Sequence, residues 1–299
     1  MTSFSSLKWG DVSSMQIDAD AAHPLLTLKS PAVVSPRKRI RRQEIEETAD
    51  DVADDASAPA STPAPLPGPS SGGDGVDSDP ITKTSGPIEL YSEDMLLRQL
   101  QFFKKWIPMG NEASLRLLVN VFLCHVISAS PNDGAILSIE QGVSEIPVAP
   151  DKPEKLCGKI DFVLLEMAEP AAKQYLKRPN LTAVEGGVSS LFVVEAKGPG
   201  PLDHHIPQVL GELYGSARTA QKDVIRGALT NGLSWIFVIL VLKPGQGATY
   251  RHSPLLKITE GPTAEEEVVR PDKVHLVASI LRHWRAHSHD NLERNDYFY

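Results

Sequence analysis

The amino-acid sequence predicts an α/β protein in which a mixed central sheet is flanked by helices on both faces, behind a disordered tail. Residues 86–299 begin with apolar residues at helical spacing, and three apolar runs typical of strands follow. A further helical stretch comes next, and a later apolar run follows it. A sheet covered by helices on both faces buries such runs. We therefore assign residues 1–85 to the tail and residues 86–299 to one domain.

The charge of the chain is unevenly distributed. The formal net charge is −8, which taken alone disfavours a nucleic-acid partner. However, residues 36–42 hold five basic side chains, and residues 43–80 hold ten acidic side chains and no lysine or arginine. Residues 56–80 are mostly Ala, Pro, Ser, Gly and Asp, so they cannot bury enough surface to offset their conformational entropy. The acidity belongs to the predicted tail, and the remaining domain is close to neutral.

Features of secreted and membrane proteins are not visible in the sequence. The first ten residues contain no apolar stretch typical of a secretory signal. The longest apolar run, Trp235 to Leu242, is eight residues and too short to span a bilayer. Two cysteines, Cys124 and Cys157, make no disulfide framework, which fits a reducing compartment. We expect an intracellular protein without a membrane partner, and nothing in the sequence indicates an oligomeric state.

The predicted elements follow from apolar periodicity and from helix start and stop signals. Asn111 is expected to cap the second helix, and Pro207 to lie in the first turn of a later one. We predict helices at Tyr91–Trp106, Glu112–Ile127, Pro207–Lys222 and Pro271–Ala286, and strands at Ala135–Gln141, Gly158–Glu166, Ser190–Lys197, Trp235–Leu242 and, less regularly, Thr249–Leu256.

Three charged residues stand out at the ends of two apolar strands. Glu195 and Lys197 share one face at the end of an otherwise apolar strand, and Asp161 is an isolated acid in the preceding one. Charged groups leaving a core strand must be paired, hydrated or bound to a cation. If the two strands form a hairpin, Asp161 and Glu195 converge. One interpretation is a structural Glu–Lys pair with a solvated Asp; the other is a metal site.

The metal interpretation suits phosphodiester hydrolysis. Mg²⁺, or Mn²⁺ in its place, takes oxygen ligands and often uses only one or two carboxylates plus substrate phosphate. The ion generates a hydroxide-like nucleophile, and a neighbouring lysine stabilises the developing negative charge.

These residues together resemble a known family. Asp161, then Glu195-Ala196-Lys197 ending an apolar strand, then Gln208 early in the next helix, resemble the PD-(D/E)xK nuclease superfamily. The predicted element order is similar to the restriction-endonuclease-like αβββαβ core. Residues from Gly158 to about Leu256 more narrowly resemble the nuclease-like C-terminal domain of Crinkler-type proteins, with residues 226–237 as the strongest marker. The N-terminal module of Crinkler proteins is not recognisable.

The resemblance implies roles for these residues. Asp161 and Glu195 would bind Mg²⁺ or Mn²⁺, Lys197 would serve the attacking water, and Gln208 would position the site from its helix. The family often places a glutamate on the first core helix, which makes Glu112 a further candidate on the predicted buried stripe. Alternatively, Glu112 is a first-turn carboxylate that complements the helix dipole. The Pro-Asp of the family name could be Pro150-Asp151, but Asp161 is embedded in a strand and is preferred.

We therefore expect a metal-dependent nuclease or endonuclease that hydrolyses phosphodiester bonds of nucleic acid, with DNA as the expected substrate; the sequence alone does not distinguish DNA from RNA. The alternatives are a nuclease-fold protein without turnover that acts as a binding module, and a purely structural α/β domain. His204 and His205 follow the site and are either loop residues or contacts for metal or phosphate. The basic cluster at residues 36–42 reads as a nuclear-import signal, which predicts a nuclear location and the import machinery as a partner, or as a nucleic-acid-binding arm.

Overall fold

A large sheet organises the protein. The computed structural model describes residues 2–22, 24–29, 92–129, 134–147, 155–181, 187–244, 247–263, 266–292 and 296–299. The strands are β1 (Thr2–Ser3), β2 (Ile17–Ala19), β3 (Ala135–Pro147), β4 (Lys155–Met167), β5 (Val188–Ala196), β6 (Val224–Thr230), β7 (Ser234–Leu242), β8 (Ala248–His252), β9 (Leu256–Lys257), β10 (Thr259–Glu260) and β11 (Val268–Val269). The helices are α1 (Trp9–Ser14), α2 (Glu93–Trp106), α3 (Glu112–Ser128), α4 (Glu169–Lys177), α5 (Ile206–Ala220) and α6 (Pro271–Ala286).

The sheet mixes parallel and antiparallel pairs. Within the described residues its order is β1-β4-β5-β6-β7-β8-β2, with β3 pairing with β4 and β9 with β7. The β3–β4, β4–β5, β6–β7 and β7–β8 pairs are antiparallel, whereas β5 and β6 are parallel. Parallel neighbours need a long crossover connection, and α5 provides it.

Helices cover both faces of the sheet, as the sequence predicts. Alternate residues of β5 enter two different hydrophobic clusters, because strand side chains alternate between faces. Val193 belongs to the cluster under α1 and α5, which we call the α5 face. Phe192 and Val194 belong to the cluster under α2, α3 and α6, which we call the α3 face.

The predicted order of helix, three strands, helix and strand is present as α3, β3, β4, β5, α5 and β6. Asn111 caps α3 as predicted, since its side chain accepts a hydrogen bond from the backbone N–H of Ser114 at 2.9 Å. Helix α4 is an insertion between β4 and β5, in a stretch to which the sequence assigned no element.

One core strand was missed. The predicted strand Trp235–Leu242 is present as β7, but the strand that directly follows α5 and runs parallel to β5 is β6, to which the sequence assigned no element. Arg226 and Gly227 interrupt the apolar pattern of β6. Arg226 is buried and paired with Asp296 at 2.6 Å, and a side chain at Gly227 would place its Cβ 2.7 Å from the carbonyl oxygen of Val193. The predicted strand Thr249–Leu256 is divided between β8 and β9.

The assignment of residues 1–85 to a disordered tail is wrong for residues 2–22 and 24–29. Strand β1 pairs with β4 and β2 with β8, both in parallel. Phe4 is 1% exposed and Leu26 0%, so this segment supplies core side chains. The domain therefore includes both the N-terminal segment and the residues from 92 onwards. Residues 30–91, with the basic cluster at 36–42, lie outside the described residues, and the disorder predicted for them stays a prediction.

The N-terminal segment also packs on α5 next to the site. A Cβ added at Gly211 would lie 2.2 Å from Leu7 Cδ1, and one added at Gly215 would lie 3.0 Å from Phe4 Cζ. The two glycines of α5 thus allow the N-terminal segment to approach this helix closely. Among the described residues, no helix has the length and apolar character needed to cross a membrane.

Candidate functional site

The end of β5 and the middle of β4 bring two carboxylates to one place. Phe162 of β4 pairs with Val194 of β5, so one step further along the ladder Asp161 and Glu195 stand opposite each other. Directly opposed residues of an antiparallel pair share a face, and here it is the α5 face. The backbone N–H of Ala196 donates to Asp161 Oδ2 at 2.9 Å. The structure therefore brings Asp161 and Glu195 together on adjacent strands.

Lys197 lies just beyond β5, on the same face as Glu195. Its ammonium group donates to Glu195 Oε1 at 2.6 Å, and the Lys197 side chain is 15% exposed. Its backbone N–H donates to the carbonyl oxygen of Thr230 at the end of β6, at 2.8 Å. Burial opposes the charge of Lys197, but attraction to Glu195 outweighs it and raises the pKa of Lys197 above its ordinary value.

Gln208 projects from the first turn of α5 towards the same carboxylate. Its Nε2 donates to Glu195 Oε1 at 2.6 Å and to Glu212 Oε1 at 2.9 Å. Glu195 Oε1 thus accepts hydrogen bonds from two side chains on two different elements.

Glu212 is a site residue that the sequence reasoning missed. It lies one turn after Gln208 on α5, faces the sheet and is 0% exposed. A signal was available: Glu212 is an isolated acid in an apolar helix, four residues after Gln208 and so on the same helical face.

Burial raises the pKa of the carboxyl groups of Glu195 and Glu212. Burial, reinforced by the nearby Asp161 carboxylate, raises the pKa of Glu195 to about 7 despite the opposing effect of Lys197. Burial and the proximity of Glu195 raise the pKa of Glu212 well above its ordinary value. Within the described residues, Oε2 of Glu195 and Oε2 of Glu212 are buried and accept no hydrogen bond from a donor group. A proton shared between the two carboxyl groups, or a bound cation, would satisfy these oxygens.

Glu112 lies at the start of α3, at the rim of the site. Its side chain is 47% exposed, so the prediction that it starts on the buried side of the helix is wrong. A Cβ added at Gly198, just after Lys197, would be 3.7 Å from the Cβ of Glu112, which places Glu112 beside the loop that leaves the site. The exposed His204 and His205 form a short 3₁₀ turn with Asp203 at the end of this loop.

Arg116 and Glu140 complete the rim, and neither was anticipated. Arg116 Nη1 lies 3.0 Å from Asp161 Oδ1 and 3.8 Å from Glu112 Oε1, and Arg116 Nη2 lies 4.0 Å from Glu140 Oε1. Glu140 flanks Asp161 across the β3–β4 ladder, and its φ of 53° is in the left-handed region that costs a non-glycine residue energy. Pro150-Asp151, the alternative considered for the Pro-Asp motif, lies outside the described residues.

The donor set was tested against a divalent metal ion. Among the residues that the structure describes, no group of three or more His, Cys, Asp or Glu side chains is arranged to hold a metal ion. Two carboxylates remain, Asp161 and Glu195, and Mg²⁺ sites commonly use only one or two together with substrate phosphates and water. Glu195 Oε2, buried without a hydrogen-bond donor in the described part of the chain, fits a ligand atom. The residues therefore fit Mg²⁺ or Mn²⁺ on the condition that substrate and water complete the coordination.

A cavity of about 510 Å³ lies beside the loop that follows β5, and none of Asp161, Glu195 and Lys197 lines it. The loop contributes Pro201 and Asp203, and the turn after β6 contributes Asn231. His252 and Lys257 also line the cavity, so its lining includes polar and basic side chains.

Comparison with known proteins leaves the family of this chain open. No family model matches the sequence, and no curated protein matches it.

Proposed function

We propose that this protein is a metal-dependent nuclease of the PD-(D/E)xK type, with a restriction-endonuclease-like core and with DNA as its substrate. The observation that carries the proposal is Glu195, a buried carboxylate opposite Asp161 and bound by Lys197, with one oxygen that accepts from no donor among the described residues. The order αβββαβ, with β5 and β6 parallel, is the arrangement that the resemblance implies.

Asp161 and Glu195 would hold Mg²⁺ or Mn²⁺. When bound, such an ion supplies a hydroxide-like nucleophile and neutralises charge on the phosphate. Gln208 and Lys197 both donate to Glu195 Oε1, which orients the carboxylate. Oε2, which accepts no hydrogen bond from a donor in the described part of the chain, is the atom proposed to bind the ion.

Lys197 has a second role in the proposed reaction. An ammonium group carries three donors, and only one is needed for Glu195. The remaining donors of Lys197 can orient the attacking water and stabilise negative charge on the phosphoryl oxygens. The loop that follows Lys197 also lines the cavity, and this shared loop links the cavity to the proposed site.

The test is a cleavage assay on single- and double-stranded DNA and RNA, with Mg²⁺, Mn²⁺ or a chelator. We expect cleavage of DNA that requires the metal and is lost in Glu195→Ala. Metal binding by the wild-type protein without cleavage of any nucleic acid would overturn the nuclease proposal.

A second candidate function is a nuclease-fold binding module without turnover. The observation in its favour is that Arg116 already neutralises Asp161, at 3.0 Å from Oδ1. A module of this kind would bind nucleic acid or a protein partner equally well with and without metal, and Glu195→Ala would leave that binding unchanged.

A further inference from the structure

Arg116 holds a position that the proposed metal site needs. Arg116 lies on α3, one turn after Glu112, and its side chain is 22% exposed. Its Nη1 contacts Asp161 Oδ1 at 3.0 Å, while Asp161 Oδ2 accepts the backbone N–H of Ala196 at 2.9 Å. Both oxygens of Asp161 are therefore engaged, one by a guanidinium and one by the backbone.

The position of the guanidinium is well defined. It lies over the ring of Phe162, 5.1 Å from the ring centroid, which favours a cation at that place. Arginine stays protonated at any pH at which the protein is folded, so this positive charge is permanent. A divalent ion on Asp161 Oδ1 would be repelled by a cation that shares the same oxygen.

Two further carboxylates near the guanidinium offer alternative partners for the Arg116 side chain. Glu112 and Glu140 lie 3.8 and 4.0 Å from the guanidinium and are about half exposed, so neither needs Arg116 as its only counter-charge. In the rearrangement that we consider, the Arg116 side chain rotates away from Asp161 and keeps these two carboxylates as partners. Asp161 Oδ1 is then available to a divalent ion, with Glu195 opposite Asp161 on the neighbouring strand.

We propose that Arg116 is an internal counter-ion, which occupies the cation position at Asp161 and moves aside when a divalent metal binds. This inference rests on the metal site proposed above. It makes Arg116 a residue that sets metal affinity: the ion must displace the guanidinium before it can use Asp161, so the wild-type protein binds metal more weakly than its carboxylates alone would allow.

The experiment measures Mn²⁺ binding to the full chain by titration calorimetry, with no nucleic acid present. We compare the wild type with Arg116→Met, which keeps an unbranched apolar stem and removes the guanidinium and its charge. Hydrogen bonds between charged groups shift equilibria by roughly one factor of ten or more, so we expect the Kd for Mn²⁺ to fall about tenfold in Arg116→Met. The matched control is Arg282→Met, which removes the same charge from a pair with Glu93 at 3.0 Å on the surface of α6.

A melting experiment gives a second readout, in case Arg116→Met folds less stably. Without Arg116, Asp161 is left partly buried and unpaired, so the variant should melt below the wild type in a chelator. Because a ligand stabilises the state that binds it, Mn²⁺ should raise the melting temperature more in Arg116→Met than in the wild type.

The proposal is overturned if Arg116→Met binds Mn²⁺ no more tightly than the wild type, if neither protein binds it, or if Arg282→Met gains affinity to the same extent. Cleavage is measured in parallel as a separate readout. Tighter binding by Arg116→Met together with no cleavage by any form of the protein would overturn the nuclease function and leave the role of Arg116 standing.

Discussion

Glu195 is the residue on which the candidate site depends. One of its oxygens accepts hydrogen bonds from Lys197 and Gln208, and the other has no donor among the described residues. A carboxylate held so firmly on one side and left open on the other is suited to present a single oxygen atom to a ligand. The rigid strand and helix that supply its partners make the geometry reproducible.

The role proposed for Lys197 leads to the first prediction. Lys197→Ala should abolish cleavage but keep Mn²⁺ binding within about threefold, because Asp161 and Glu195 remain as ligands. Lys197→Arg should not restore activity, since the planar guanidinium cannot replace a compact point charge. Lys159→Ala, at a residue whose side chain is 70% exposed, is the control and should be fully active. Retained cleavage by Lys197→Ala would assign this lysine to structure alone.

The buried acids give a prediction about pH. Burial raises the pKa of Glu195 to about 7 and that of Glu212 well above the ordinary value of a glutamate, 4.5. A carboxyl group whose pKa is raised by folding binds its proton more tightly in the folded state, so stability is lost as pH rises from the unfolded value through the folded one. The metal-free protein should therefore lose stability between pH 4.5 and about 7.

Glu212→Gln should reduce this loss. The amide cannot ionise, and its NH₂ group can donate to the open oxygen of Glu195. At pH 8 in a chelator we expect the variant to be more stable than the wild type, because the wild type must ionise a fully buried carboxyl group and the amide need not. At pH 4.5 the two should melt alike. Chemical denaturation at both pH values measures the difference, and equal stability at pH 8 would show that Glu212 ionises without cost.

The alternation of side chains along strands predicted part of the site from the sequence, and the other site residues were missed for physical reasons. Glu195 and Lys197 were assigned to one face because alternation along a strand is strict, and Asp161 because it interrupts an apolar run. Arg116 and Glu140 contact the site only through the packing of α3 and the register of β3 on β4, which one sequence does not specify. Glu212 was visible in the spacing of α5 but was not used.

At the scale of elements, the N-terminal segment shows how a short piece of chain can belong to a core. β1 has two residues and α1 six, so neither has enough periodicity to be recognised in the sequence. These short elements are held in place by β4, β8 and α5, which lie more than a hundred residues later in the sequence. Long, regular elements such as α6 were predicted with their observed bounds, because their apolar pattern is local.

This packing makes residues 2–22 and 24–29 part of the folding unit, contrary to their assignment to a disordered tail. Phe4→Ala should destabilise the domain by about 3 kcal/mol or more, because it removes a fully buried aromatic ring and leaves a cavity under α5. Trp9→Ala, at a residue that is 47% exposed, is the control and should cost about 1 kcal/mol or less. Urea unfolding followed by fluorescence or circular dichroism distinguishes the two. An unchanged midpoint for Phe4→Ala would mean that the segment is not part of the folding unit.

At the scale of the whole molecule, the two sides of the undescribed stretch 30–91 are tied into one domain. The backbone N–H of Lys29 donates to the carbonyl oxygen of Tyr297 at 2.8 Å, and that of Tyr299 donates to Thr27 at 3.0 Å. Residues near both ends of the sequence therefore pair with each other beside the α3-face cluster, which contains Leu26 and Phe298. The basic cluster and the acidic run belong to the chain between Lys29 and Ser92, inside the sequence of the domain rather than ahead of it.

The basic cluster at residues 36–42 is proposed to direct the protein to the nucleus. It concentrates five positive charges in seven residues of a chain whose net charge is −8, and such basic runs are recognised by the import machinery. Five substitutions to alanine test this in a fluorescently tagged full chain, at Arg37, Lys38, Arg39, Arg41 and Arg42. We expect the variant to shift from nucleus to cytoplasm while its melting temperature and metal binding stay unchanged.

The control replaces exposed lysines of the domain, Lys155, Lys159 and Lys173, and should stay nuclear. Nuclear accumulation of the five-alanine variant equal to that of the wild type would reject the import role and leave contact with nucleic-acid phosphates as the use of these charges, which a steep dependence of DNA affinity on salt would reveal.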